Sequence, residues 1–329
     1  MPVGGLWRAV GALLVLHLLL LVAGCAGSSG GGEGAGGRPE VAATTPVIGD
    51  LVRQVAGKRA GVFVLVPPGA EPHTFQPTPR DAARLSRAEV VFKNGLGLDD
   101  WVDDLLESAG GEGQTVVELS RGLEPIGSED GHHHEEEHGH HGEEHHGEHG
   151  HHGEEHARGN PHFWLDVGYA MRYVERIRDA LIRVDPAGEE VYRRNAREYL
   201  EELERLDRYI RERAASIPEE RRKLVTFHDA FPYFARAYGF EQVAVVLANP
   251  NAEPGSREVA RVVRVVRREK VPAVFTEPQF NSRLARTVAE EAGVELYEIY
   301  SDTFPGGDGP KTYEAMMRTN IDRIAEALG

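Results

Sequence analysis

Only one cysteine, Cys25, occurs in 329 residues, so the chain cannot close a disulfide on itself and a packed core has to hold it. Basic residues are outnumbered, 37 Lys and Arg against 53 Asp and Glu, and nowhere cluster densely enough to point to nucleic acid. After Cys25 no apolar stretch is long enough to cross a bilayer. Asn94-Gly95-Leu96-Gly97 lacks the glycine spacing and the Lys-Ser/Thr of a phosphate loop, which leaves it as a structural turn. Histidine is also scarce outside two regions. Of sixteen, only His73, His162 and His228 lie beyond an N-terminal leader and one low-complexity run.

That run, residues 129–156, holds twelve histidines and ten carboxylates with no Lys or Arg. Without those carboxylates the formal charge falls from −16 to −6, so the rest of the chain is only mildly acidic. The run has no apolar residue to join a core and is expected to be disordered without metal. Imidazoles interleaved with acids attract cations by coordination and by charge, so a transition metal is the expected ligand.

The N-terminus reads as a signal peptide over residues 1–24. A start carrying Arg8 leads into apolar residues 12–22, a stretch too short to span a membrane comfortably. Val22-Ala23-Gly24-Cys25 resembles a bacterial lipobox, which makes Cys25 a lipid anchor and not a redox group. Glycines and serines over 28–37 then form a flexible tether.

Beyond it, short β-branched runs alternate with helical spacing. Strands are expected at 62–66, 90–92 and 115–119, with helices at 79–88 and about 99–108 between them. The second half has strands at 224–227, 243–247, 273–275 and 295–299, separated by helices at 231–238, 256–270 and 282–292. Such alternation predicts two α/β lobes with mainly parallel sheets flanked by helices. A helix over 167–184 and a charged one over about 188–215, roughly 42 Å long at 1.5 Å per residue, connect them. The expected divisions are a tether at 25–40, an N-terminal lobe at 41–128 and 159–187, the histidine-rich loop at 129–158, a rigid linking helix at 188–217 and a C-terminal lobe at 218–329.

In open α/β sheets ligands collect beyond the carboxyl ends of strands. His228 follows the strand 224–227, His73 lies in the loop leaving 62–66, and Asp302 follows 295–299. His162 stands where the histidine run gives way to helix. Trp164, Phe163 and Phe227 are expected to pack beside the site.

The segments GAEPHTFQPTP (69–79), AEVVFKNGLGLDDW (88–101), NPHFWLD (160–166), TFHDAFPYFARAYG (226–239) and TEPQFN (276–281) together resemble the solute-binding lipoproteins of ABC importers for zinc and manganese, the ZnuA-like and TroA-like proteins. The resemblance runs from about residue 41 to the C-terminus apart from the histidine run. It implies two α/β lobes joined by a long helix, with one metal ion in the cleft between them. The family's ligand positions fall on His73, His162, His228 and Asp302, and histidine at the third of these is the zinc-type choice.

Three neutral imidazoles and one carboxylate suit four-coordinate Zn2+, whereas Mn2+, the alternative, is better served by more oxygens. Glu71, Asp166, Asp229 and Glu277 are candidates to orient the histidines, and Glu277 is also a rival for the fourth ligand position. The expected partners are an ABC permease with its cytoplasmic ATPase, and the membrane through Cys25. The chain is expected to be monomeric, extracytoplasmic and without enzymatic activity. A zinc-dependent hydrolase is the rival class, but Asp302 would fill the place of the attacking water and no His-Glu-x-x-His motif occurs. An adhesion or structural lipoprotein explains the anchor and not the converging histidines. From the free imidazole pKa, metal affinity is expected to fall below about pH 6.

Overall fold

The computed structural model describes residues 38–111, 113–127, 159–247 and 255–329. The leader, Cys25, the tether up to residue 37 and the histidine-rich run lie outside the described residues, and Glu40, expected to end the tether, instead opens the first strand. Among the described residues no helix is long and apolar enough to cross a membrane.

Among the described residues, eight strands form two four-stranded parallel sheets. The first contains β1 (Glu40–Ala43), β2 (Gly61–Val64), β3 (Val90–Lys93) and β4 (Thr115–Glu118) in the order β2-β1-β3-β4. The second contains β5 (Lys223–His228), β6 (Glu241–Leu247), β7 (Ala273–Thr276) and β8 (Glu295–Glu298) in the matching order β6-β5-β7-β8. In both sheets the first strand leads to a neighbour on one side and the third strand pairs on the other. The chain therefore switches direction at β1/β3 and at β5/β7, where loops diverge and leave a crevice.

Helices cross between the parallel strands, and their ends carry readable signals. In α1 (Pro46–Ala56) Thr45 accepts a hydrogen bond from the Ile48 N–H, and Gly57, at φ 55°, closes the helix. Thr78 and Asp81 form a reciprocal capping box at α2 (Pro79–Leu85). The other helices are α3 (Trp101–Ala109), α4 (Val167–Val184), α5 (Glu189–Ala215), α6 (Pro232–Tyr238), α7 (Ser256–Glu269), α8 (Arg283–Ala292) and α9 (Tyr313–Leu328).

The long helix α5 buries Tyr192, Ala196, Tyr199, Leu203, Leu206, Ile210 and Ala214, a stripe spaced by threes and fours. Its start is fixed by Asp185, which accepts both Arg59 Nε and Nη2 at 2.6 Å and the Tyr192 hydroxyl at 2.8 Å. Towards its other end, Tyr209 and Arg213 both donate to Asp322 of α9. Both ends of the connector are thus bonded to neighbouring elements. One buried hydrophobic cluster contains residues of both sheets together with α4, α5 and α9.

Three elements go beyond the sequence expectation: β1, α1 and α9. The strand expected at 62–66 begins at Gly61 and ends at Val64, and β5 runs through His228, so this histidine is the strand's last residue.

Candidate metal centre

Each candidate ligand is delivered by a different piece of chain. His73 lies in the loop after β2, where the Gly69 N–H donates to Thr303 Oγ1 at 3.0 Å across to the second sheet. Trp101 Nε1 donates to the Pro72 carbonyl at 3.0 Å and its ring packs on Phe75, which pins the loop beside α3. His162 immediately precedes a 3-10 turn, Phe163–Leu165. His228 ends β5, and Asp302 lies just past β8. His162, His228 and Asp302 are all 3% exposed or less, with His73 half-buried above them.

Their ligand atoms converge. One atom from each of His73, His162, His228 and Asp302 lies within 4.8 Å of all the others. His162 Nε2 is 3.3 Å from both His73 Nε2 and His228 Nε2. Asp302 Oδ1 is 3.2 Å from His162 Nε2, and Oδ2 is 3.2 Å from His228 Nε2. Three Nε2 atoms facing one point, with Asp302 Oδ1 buried and lacking a hydrogen-bond partner, are groups whose lone pairs suit a cation.

Contacts behind the rings decide which nitrogens face inward. The His162 Nδ1–H donates to Asn160 Oδ1 at 2.9 Å, and the His162 backbone N–H donates to the same oxygen at 3.0 Å. The His228 Nδ1–H donates to Glu277 Oε2 across the β5/β7 switch. In both rings Nε2 is left to face the centre. Glu71 accepts the backbone N–H of His73 at 2.9 Å and leaves the ring alone.

Asp166 and Asp229 do not orient a ring. Asp166 caps α4 by accepting the Gly168 N–H, and the Asp229 carboxylate accepts from Gln242 Nε2. Asp229 follows His228 directly, and successive side chains at a strand end point to opposite faces. Glu277 stands behind His228, on its Nδ1 side, outside the four converging groups. Asn160, Trp101 and Gln279 were not singled out from the sequence. All three lie inside the resemblance motifs, but no spacing rule marks an amide or an indole as a support.

The segment carrying His162 is bonded to the second sheet's side of the cleft. Asn160 Nδ2 donates to the Asp229 carbonyl at 2.6 Å, Trp164 Nε1 to the Ser301 carbonyl at 2.9 Å, and the Tyr313 hydroxyl to the Trp164 carbonyl at 2.6 Å. Trp164 and Phe163 are fully buried, and the Trp164 ring lies 5.4 Å from that of His162.

Electrostatics divide the groups. Burial holds His73 at about 3, so its ring is neutral. Burial opposes the His228 cation, but Glu277 and Asp302 outweigh it and raise its pKa well above the usual value. Burial likewise opposes ionisation of Asp302, and His162 and His228 overcome it, holding the carboxyl well below its usual range. Burial pushes Glu71 up to about 8 and raises Glu277 despite its bond to His228.

The family model of ZnuA, the periplasmic component A of the zinc-uptake complex, matches residues 41–327. The manganese-binding lipoprotein MntA of Halalkalibacterium halodurans is 33% identical over 321 residues, 96% of this chain and 97% of its own. The iron-binding protein YfeA of Yersinia pestis is 33% identical over 292 residues, 88% of this chain and 86% of its own. Among solved structures, the periplasmic zinc-binding protein TroA of Treponema pallidum superposes with a TM-score of 0.76 at 27% identity, covering 89% of this chain and 100% of that one. With the parallel-sheet lobes, the long helix and the converging histidines, these matches show that the chain belongs to the ZnuA/TroA family of periplasmic metal-binding components of ABC importers, which are binding proteins and not enzymes.

Proposed function

We propose that the chain captures Zn2+ outside the cytoplasmic membrane and hands it to an ABC permease driven by a cytoplasmic ATPase. The ligands are His73, His162, His228 and Asp302, with Glu277 and Asn160 holding two of the rings. The observation that carries this reading is the 3.3 Å separation of His162 Nε2 from both His73 Nε2 and His228 Nε2. A tetrahedron with zinc–nitrogen bonds of about 2.0 to 2.1 Å has edges of roughly 3.3 to 3.4 Å. Three neutral imidazoles, one carboxylate and the ion give a net charge of about +1, which Glu277, bonded to the back of His228, moderates.

Manganese is the second reading. Both Asp302 oxygens lie 3.2 Å from an imidazole nitrogen, so a two-oxygen grip and five ligand atoms are within reach, and a relative at 33% identity is named for manganese.

Cys25 is the lipid anchor in this account, the stretch from Cys25 to the start of β1 tethers a monomer to the membrane, and the lobes are 41–128 with 159–187, and 218–329, joined through 188–217. The run 129–156 gathers zinc beside the tight site.

Competition titration of zinc against manganese, with metal analysis of the purified protein, tests the reading. The expected result is one tight site preferring zinc, with extra weaker zinc in the intact chain that disappears when 129–156 is deleted. Preferential manganese retention overturns the zinc assignment. Unchanged zinc stoichiometry after the deletion overturns the role of the run.

A further inference from the structure

Asp302 is the one group in the cluster with two candidate ligand atoms, and its oxygens have different surroundings. Oδ1 is buried without a hydrogen-bond partner and lies 3.2 Å from His162 Nε2. Oδ2, which is 3.2 Å from His228 Nε2, also accepts a hydrogen bond from Gln279 Nε2 at 3.4 Å. The same amide nitrogen donates to Ser301 Oγ at 3.0 Å, so Gln279 reaches both Asp302 and the residue before it. Gln279 lies in the turn after β7, which the Phe280 N–H closes by donating to the Glu277 carbonyl at 3.2 Å. The Phe280 ring then packs on His228, with centroids 4.9 Å apart. The turn that places Glu277 behind one ligand thus places Gln279 beside another.

We infer that Gln279 is a specificity-determining positioning residue whose amide N–H restrains Asp302 Oδ2, so that Asp302 binds the ion through Oδ1 alone. An oxygen already accepting a hydrogen bond offers less lone-pair density to a metal and moves less freely towards it. With Oδ2 held, the shell stops at three nitrogens and one oxygen, the small set that zinc accepts. With Oδ2 released, the carboxylate can chelate, and five ligand atoms with a larger share of oxygen favour manganese. The inference rests on the proposed four-residue ligand set and explains how that set discriminates between the two ions.

Gln279→Met keeps the side-chain length and removes the donor. Cobalt(II) serves as the probe, because four-coordinate cobalt absorbs visible light far more strongly than five-coordinate cobalt. The wild-type chain is expected to give the intense four-coordinate spectrum. Gln279→Met is expected to give the weaker one and to lower the ratio of zinc to manganese affinity about tenfold, the lower end for groups that support metal ligands. Gln279→Glu keeps the shape, donates nothing when ionised and is expected to move both readouts the same way, which covers the case of a Met variant that does not fold. A five-coordinate spectrum in the wild type overturns the inference, as do variants that keep both spectrum and ratio. The ligand set itself fails separately, if His228→Ala binds zinc as tightly as the wild type.

Discussion

Asn160 and Glu277 make two of the histidines usable as ligands, because each occupies Nδ1 and leaves Nε2 to the centre. His73 and His228 also differ in protonation. His73 is neutral from burial, whereas His228 is held protonated by Glu277 and Asp302. An incoming ion therefore has to evict a proton from His228 Nε2. A histidine pKa raised in the folded state adds stability to the metal-free protein that is fully present below the unfolded value of about 6.5 and lost as pH rises through the folded value. Metal binding opposes that proton, so affinity should climb with pH through the same window, which lies above the pH 6 expected from a free imidazole. Calorimetry at pH 7 in buffers of different ionisation enthalpy should report release of about one proton per zinc. An apparent enthalpy that does not vary with buffer contradicts the assignment. The three histidines were legible in the sequence because so few others lie outside the leader and the run. Their supports were only partly legible, since Glu277 follows a strand but Asn160 and Gln279 carry no charge or spacing that marks them.

At the level of elements, the two sheets repeat one strand order, and this repetition delivers ligands to matching ends. Strands rich in β-branched residues, such as β3 and β7, were evident from composition. The central strand β1 was not, because Glu40–Ala43 is four residues long with two alanines and no alternation to read. In α1 the spacing of Val47, Ile48, Leu51, Val52 and Val55 is helical, and Thr45-Pro46 is a start signal, so its information was present although no element was assigned there. The connector α5 was legible from its stripe, and its function is mechanical. Leu206 is fully buried in that stripe. Leu206→Ala should cost about 2 to 5 kcal/mol of stability in denaturant unfolding through the cavity it leaves. Metal analysis should still find one tightly bound ion in the folded variant. Loss of the tight site at full stability would assign α5 a direct part in binding.

For the whole molecule, the cleft is crossed by bonds that do not involve the ligands. Gly69 meets Thr303, Asn160 meets the Asp229 carbonyl, Trp164 meets Ser301, and the Tyr313 N–H donates to Asp50 Oδ2 of α1. With the gripped connector, these contacts favour small adjustments of the loops around the ion over a wide hinge. The two-lobed parallel architecture was readable from alternating elements, but the cross-cleft bonds were not. They join residues as far apart as 263 positions in sequence, and only the folded chain brings them together. The central claim is that four remote side chains meet on one cation. Anomalous diffraction at the zinc edge from crystals of the zinc-loaded protein tests it most directly. A single peak is expected at about 2.0 to 2.2 Å from the Nε2 atoms of His73, His162 and His228 and from one oxygen of Asp302. A peak elsewhere, or one that any of these four groups fails to reach, contradicts the account.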